Sequence, residues 1–323
     1  MTTDNAHAPV MVNKMLEMLA PQAGGIYVDA TFGGGGYTRA ILETADCMVV
    51  AIDRDETALE RARQWADEYS PGIIPVHGNF ADLVELVAGA GYQQVDGIVM
   101  DLGLSSNQLE DGGRGFSFSH GGPLDMRMDT STGETAAELI MRLGEADLAR
   151  ILRDYGEERH ARAIAKAIVA AREQDAITTT DRLADIVRTR MPGKHKLKID
   201  PATRTFQALR IAVNDELGAL DAALQASEAL LKPGGRLVVV SFHSLEDRRV
   251  KHFINACARP GAGQDRYMPI AEALPEPGMT RLHRKVITPD EREAQVNPRA
   301  RSAKLRAAER TSAPAIHNAG GAQ

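Results

Sequence analysis

A chain of 323 residues with 43% apolar content can bury a large core and is most naturally one big domain with a smaller companion. Its net charge of -6 argues against a protein that coats nucleic acid by bulk electrostatics. No run approaches the roughly 18 apolar residues of a membrane span, and the polar start Met1 to His7 has no signal-peptide apolar region, so a cytoplasmic protein is expected.

Residues 25 to 29, Gly-Ile-Tyr-Val-Asp, read as a β-strand ending in an acid. Gly33, Gly34, Gly35 and Gly36 follow, then a helical pattern from Tyr37 to Thr44. A strand, a glycine turn and a helix in that order let a ligand lie directly against backbone. The dinucleotide fingerprint Gly-x-Gly-x-x-Gly fails at its last position in both frames, Gly33 to Thr38 and Gly34 to Arg39. An acid close before the glycines fits S-adenosylmethionine better, because that ligand has an ammonium to be accepted and no pyrophosphate.

The β/α alternation then continues. Cys47 to Ile52 reads as a strand ending at Asp53, twenty positions past Gly33, where a ribose-binding acid belongs. A helix Glu56 to Tyr69, a strand Ile73 to His77 with Phe80 just beyond it, and a helix Ala81 to Ala90 follow. The strand Val95 to Met100 runs into Asp101. Four strands with short crossover helices imply a parallel sheet whose carboxyl edge collects ligands, and Asp53, Phe80 and Asp101 fall on that edge.

From about Asp111 to Ile199 only loop and helix are read, with helical runs at Ala136 to Leu143, Glu145 to Tyr155, Arg159 to Gln174 and Asp181 to Arg190. One basic run, Arg188, Arg190, Lys194, Lys196 and Lys198, closes this all-α insertion. A long helix is expected over Thr203 to Leu231, ended by Lys232-Pro-Gly-Gly, then a fifth strand Arg236 to Ser241 and a helix Leu245 to Ala258. Leu282 to Thr288 and Ala303 to Glu309 read as a closing pair of strands inside a second basic stretch, nine Lys/Arg against four acids over 281 to 310. The expected organisation is α/β: a Rossmann-like class I methyltransferase sheet, mostly parallel with a closing antiparallel strand, over 1–110 and 200–310. A helical insertion is expected over 111–199, and 311–323 reads as a disordered tail. Cys47 and Cys257 sit in apolar patterns as packing residues, and no Cys/His cluster has metal-ligand spacing, so no metal is expected.

Several longer blocks carry a family resemblance. Among them are Asp29-Ala-Thr-Phe-Gly-Gly-Gly-Gly, Asp101-Leu-Gly-Leu-Ser-Ser, Arg114-Gly-Phe-Ser-Phe, Gly122-Pro-Leu-Asp-Met-Arg-Met-Asp, Tyr155-Gly-Glu-Glu-Arg, Ala202-Thr-Arg-Thr-Phe-Gln-Ala-Leu-Arg and Ser241-Phe-His-Ser-Leu-Glu-Asp-Arg. Over nearly the whole chain the sequence resembles the bacterial small-subunit ribosomal RNA methyltransferases of the MraW type. The resemblance implies transfer of a methyl group from S-adenosylmethionine to N4 of one cytidine in the decoding region of 16S ribosomal RNA. The substrate would lie within the small ribosomal subunit, and a homodimer is among the assemblies the reading allows. Carried across, cofactor contacts fall on Gly34, Gly35, Gly36, Tyr37, Asp53, Phe80, Asp101 and Gln108. The family commonly has His where Tyr37 stands and a non-glycine residue at Gly34, which leaves backbone contacts in place.

A cytosine N4 amine is a poor nucleophile until its N–H bonds are accepted and it is held in line with the donor methyl. Asp101 occupies the acceptor position of amino-group methyltransferases, though their Asp/Asn-Pro-Pro-aromatic motif here reads Asp101-Leu-Gly-Leu. Base stacking then falls to Phe116, Phe118, Phe206 or Phe242. His243 is a candidate proton acceptor, against the alternative that Ser241 or Ser244 merely caps a helix with Glu246 and Asp247 in its first turn. Arg188, Lys194, Lys196, Lys198, Arg204 and Arg210 are candidates for phosphate, and the equal alternative for Arg204 or Arg210 is pairing with Asp200 or Glu216. A nicotinamide oxidoreductase would need the complete fingerprint and a Tyr-x-x-x-Lys pair, and neither is present. A methyltransferase for a small molecule, a protein or another RNA, and a cofactor-free RNA-binding module, are the remaining alternatives.

Overall fold

The computed structural model describes residues 9–69, 71–119, 121–191, 200–260 and 276–315. Two compact units result, Met1–Gly103 with Leu217–Gln323, and Leu104–Glu216. The helical unit therefore takes in the residues on either side of the 111–199 stretch read from sequence.

The first unit opens with α1 (Val12–Leu19), β1 (Ile26–Asp29), α2 (Gly36–Thr44), β2 (Met48–Asp53), α3 (Glu56–Glu68), β3 (Ile73–His77), α4 (Leu83–Gly89) and β4 (Val95–Asp101). The second holds α5 (Ser106–Glu110), α6 (Ala136–Arg142), α7 (Glu145–Gly156), α8 (Ala161–Arg172), α9 (Thr180–Arg190) and α10 (Ala202–Asn214). The chain finishes with α11 (Glu216–Leu230), β5 (Leu231–Ser241), α12 (Ser244–Ala258), β6 (Met279–Arg281), α13 (Glu291–Val296) and β7 (Lys304–Arg310).

Among the described residues seven strands form one sheet, in the order β3-β2-β1-β4-β5-β7-β6. Pairs from β3 through β5 are parallel, and β7 runs antiparallel to both β5 and β6. The sheet is thus the expected class I methyltransferase sheet with a closing antiparallel strand. Its central strands are near-continuous Val/Ile runs because both faces are covered. On one face Val28, Val50, Ile98 and Val239 pack with Leu220 and Leu224 of α11, and on the other Val49, Val99 and Val238 pack with Met15, Leu19 and Ile41. The helical unit has its own core, in which Leu148, Leu152, Ile164, Ile168, Leu183 and Leu209 meet.

Four elements differ from expectation. The long helix over Thr203 to Leu231 is two helices, broken where Asp215 adopts the left-handed conformation at φ 46°. The fifth strand begins at Leu231, and Lys232 to Gly235 form an irregularity within it rather than a separate turn. The outermost closing strand is Met279–Arg281, while Leu282 to Thr288 contributes only the isolated bridge Ile287–Leu305. Of the expected tail, Thr311 and Ala313 are tied down, since Arg310 Nη2 donates to Ala313 O at 2.7 Å and Thr311 N–H to Gly278 O at 3.0 Å. Both cysteines are buried and neither forms a disulfide among the described residues, as expected from their apolar settings. No helix of the described residues is long and apolar enough to cross a membrane.

Candidate active site

The turn after β1 is braced on every side. Asp29, only 1% exposed, accepts Thr31 N–H at 3.2 Å and the Thr38 hydroxyl at 2.8 Å. It therefore fixes the loop from inside rather than standing open to an ammonium. Gly33 donates its N–H to Asp53 Oδ2 at 2.7 Å and accepts from Arg61 Nη1 at 2.8 Å. Gly35 sits at φ 78°, and a Cβ there would lie 2.4 Å from Trp65 and 2.7 Å from Phe32, so only glycine satisfies both backbone and neighbours. A Cβ on Gly36 would strike Pro9 at 2.6 Å, whereas one on Gly34 would meet nothing within 4 Å. The loop thus leaves the surface above Gly34 open and opens into α2, whose first-turn N–H groups lack intrahelical acceptors.

Tyr37 turns away from that opening. Its ring is buried in the core, and its hydroxyl donates to Val10 O at 2.6 Å, with burial pushing the phenol well above its ordinary range. What Tyr37 can offer a ligand is its main-chain N–H. Phe80 lies half-buried at the end of β3, in a 3-10 turn capped by Asn79. Asp53, at the end of β2, also accepts Asp55 N–H at 2.9 Å, and its carboxylate keeps lone pairs beyond these two backbone bonds. Burial raises the pKa of Asp53, despite hydrogen bonds that lower it. Gln108, in the helical unit, is 9% exposed and closes the capping box of α5 by accepting Ser105 N–H at 3.1 Å.

Asp101 ends β4, in register with Val240 of β5, and its N–H donates to the Thr31 hydroxyl at 2.6 Å. Among the described residues its buried Oδ1 has no hydrogen-bond partner. Burial, partly offset by Arg299 and reinforced by Asp29 and Glu246, pushes the carboxyl up to about 8. An orphaned carboxyl oxygen is costly unless something else satisfies it, so it marks where a donor or cation fits. Asp29 is likewise raised, to about 6, chiefly by burial. A carboxyl-rich edge beside an open glycine turn suits a cationic, nucleoside-like group, and S-adenosylmethionine carries a sulfonium and an ammonium.

Beyond β5, His243 itself is the cap of α12, not Ser241 or Ser244. Its Nδ1 accepts Glu246 N–H at 3.4 Å, while Nε2 is buried, 3.1 Å from Glu246 Oε1 but outside hydrogen-bonding geometry. Glu246 also accepts the N–H groups of Phe242 and His243, and Asp247 pairs with Arg306 and Lys304. Both acids are therefore architectural. Among the aromatic candidates, Phe116 and Phe206 are buried in the helical unit and Phe118 stacks edge-on against Phe206 at 4.9 Å. Phe242 stands half-buried at the carboxyl end of β5, and a Cβ on Gly103 would touch its ring at 3.5 Å.

The basic candidates separate sharply. Arg210 is held by Glu216 through two bonds of 2.7 and 2.8 Å, with only 15% of its side chain exposed, and so is not available to phosphate. Arg188 is likewise engaged, by Asp200 at 2.9 Å and Asp185 at 3.1 Å, and lies over the Phe118 ring. For Arg210 this is the pairing alternative read from sequence, with an acid 6 residues further on, whereas Arg188 departs from the sequence expectation because an acid 12 residues further on folds back against it. Arg204 remains exposed and, among the described residues, donates only to Glu157 O, at 3.3 Å. Lys194, Lys196 and Lys198 lie outside the described residues. In the second basic stretch, Arg306 and Lys304 pair with Asp247, and Arg310 is buried against main-chain carbonyls.

The sequence pattern of the MraW methylase family matches residues 4–311. A protein of Parvibaculum lavamentivorans named ribosomal RNA small subunit methyltransferase H is 52% identical over 310 residues, covering 96% of this chain and 91% of that protein. Its namesake in Nitrobacter winogradskyi is 54% identical over 310 residues, covering 96% and 92%. A solved structure of a putative methyltransferase from Streptococcus mutans in complex with SAH aligns at a TM-score of 0.40 with 12% identity, over 93% of this chain and 97% of that one. The cofactor is S-adenosylmethionine. With sequence similarity running almost end to end over a seven-stranded methyltransferase sheet, the chain belongs to the MraW methylase family.

Proposed function

We propose that the protein methylates the exocyclic N4 of one cytidine in the decoding region of 16S ribosomal RNA, acting in the cytoplasm on RNA within the small ribosomal subunit. The observation that carries the reading is Asp101 Oδ1, buried and unpartnered at the carboxyl end of β4. The names of the relatives support ribosomal RNA of the small subunit as substrate.

S-adenosylmethionine supplies an electrophilic methyl on a sulfonium sulfur. The main chain of Gly34, Gly35, Gly36 and Tyr37 lines its site, Asp53 accepts the ribose hydroxyls, Phe80 offers an apolar ring, and Gln108 is assigned a further contact. Asp101 accepts an N–H of the cytosine amine, which localises the nitrogen lone pair for attack. Phe242 is the assigned stacking ring for the extruded base, since it shares the strand-end edge with Asp101. His243 takes the released proton at Nδ1, giving up its cap on Glu246 N–H, because accepting that bond leaves the neutral ring's own hydrogen on Nε2. Arg204 and the segment bearing Lys194, Lys196 and Lys198 are assigned to RNA phosphates.

The test is to incubate the protein with labelled S-adenosylmethionine and small subunits from cells lacking it, then map the modified nucleotide. Label at one cytidine N4 supports the reading. Label on another base, or none on small-subunit RNA, removes it.

A further inference from the structure

Most arginines of the helical unit are already engaged. Arg127 pairs with Asp125, Arg142 with Glu134, Arg150 with Asp147, Arg153 with Asp154 and Arg182 with Asp175. Arg172 donates to the carbonyls of Ile140 and Leu143. One stretch behaves differently. Arg159, Arg162 and Lys166 are exposed, and among the described residues none has an ion pair or a side-chain hydrogen bond. Arg190, at the far end of α9, is the other exposed arginine of the unit in that condition.

The local fold explains the difference. Helix α8 buries Ala161, Ile164, Ala165 and Ile168, which turns Arg162 and Lys166 outward on one face, one turn and about 6 Å apart. Within the helix Ala163 and Ala170 are the other exposed residues of that face, and Glu173 caps its C-terminus. At the preceding turn Glu157 is left-handed at φ 48°, and Glu158 is folded inward, 3% exposed, accepting His160 N–H at 2.8 Å. That burial withdraws one of the turn's two acids from the surface and leaves Glu157 as the other. Arg204 joins the same turn from α10. A Cβ on Gly156 would come within 2.6 Å of Arg204 O, and Arg204 Nη1 reaches Glu157 O.

We propose that the α7–α8 turn and the outer face of α8 are the surface on which the helical unit holds the RNA phosphate backbone, through Arg159, Arg162 and Lys166 with Arg204 beside them. The inference rests on the ribosomal RNA reading and deepens it. On a chain of net charge -6, three cations without an acid partner form a local positive face, and phosphate is the ligand that complements it. Nothing in this face reads a base, so it positions RNA and leaves the choice of cytidine to the strand-end site.

The test uses the triple variant R159A/R162A/K166A, whose side chains are exposed. RNA affinity is measured by anisotropy with a small-subunit RNA fragment across a salt series, beside methyl-transfer kinetics and S-adenosylmethionine affinity. Each lost phosphate contact lowers the slope of log affinity against log salt by about 0.7 to 0.9, so a reduction of about two to three is expected. The RNA KM should rise on the order of tenfold, with cofactor affinity and melting temperature unchanged. R159K/R162K should keep the wild-type slope, because phosphate binding needs the charge rather than the guanidinium fork. An unchanged slope and KM in the triple variant overturns the proposal. If the wild type methylates no small-subunit RNA, the functional reading fails instead, and the salt slopes still decide whether this face holds phosphate.

Discussion

Replacing Asp101 by asparagine should make the protein more stable as pH rises, while removing its activity. The carboxyl titrates near 8 in the folded chain against 3.8 in the ordinary case, because burial disfavours its charged form. Folding therefore binds its proton more tightly, and the charge opposes folding progressively from pH 4 up to pH 8. A displacement of about four pH units corresponds to on the order of 5 kcal/mol at the upper end, at about 1.36 kcal/mol per unit. Even about 2 kcal/mol of that would move the melting temperature of a chain this size by several degrees. The introduced amide adds its own cost of burial, but that cost does not vary with pH. The assay is thermal unfolding of Asp101→Asn and wild type from pH 5.5 to 8.5. The difference in favour of the variant should grow across the range and level off above about pH 8, with turnover lost and cofactor still bound. A stability difference independent of pH, or one that shrinks as pH rises, would sink the reasoning, as would full turnover.

Gly35→Ala should weaken S-adenosylmethionine binding at least about tenfold by calorimetry, since both its φ of 78° and its contacts with Trp65 and Phe32 exclude a side chain. Gly34→Ala, facing open space, should fold as the wild type does, and Trp65, the sole tryptophan, reports on both by fluorescence. Tyr37→Phe should lose about 1 kcal/mol or slightly more in urea unfolding, through the bond to Val10, with cofactor affinity held within about twofold. Arg210→Met leaves the Glu216 carboxylate buried without its partner and should cost about 3 kcal/mol or more, while the salt dependence of RNA binding stays as it was.

The parallel half of the sheet was legible because its first four strands are short apolar runs each closed by an acid or a glycine, and those signals act locally. Residues 73–77, for instance, carry the same strand in sequence and in structure. The break at Asp215 was not legible. An aspartate tolerates the left-handed conformation without advertising it, and the helical pattern runs through it on both sides. The closing edge was misplaced for a related reason. A three-residue edge strand, Met279–Arg281, carries too little periodicity to outrank the more apolar Leu282 to Thr288. Charges were read least well, because sequence gives their sign but not their partner. Arg188 and Arg210 look like neighbours of Lys194 and Arg204 until Asp200 and Glu216 fold against them. Arg159, Arg162 and Lys166 do not stand out in sequence, since cations are ordinary on the polar side of an amphipathic helix.

The strand-end acids illustrate what only the fold supplies. Sequence places Asp29, Asp53 and Asp101 after three separate strands, and a parallel sheet brings such positions to one edge. It does not say that burial raises all three, or that Asp29 is consumed in holding Thr31 and Thr38 while Asp101 keeps an oxygen free of partners. That division decides the chemistry. Carboxyls displaced upward return toward their ordinary range when a positive charge arrives, so a cationic donor and the acceptor form of Asp101 favour each other. The edge is thereby less charged before the cofactor binds than after, and the orphaned oxygen becomes a strong hydrogen-bond acceptor at the stage when an amine must be activated.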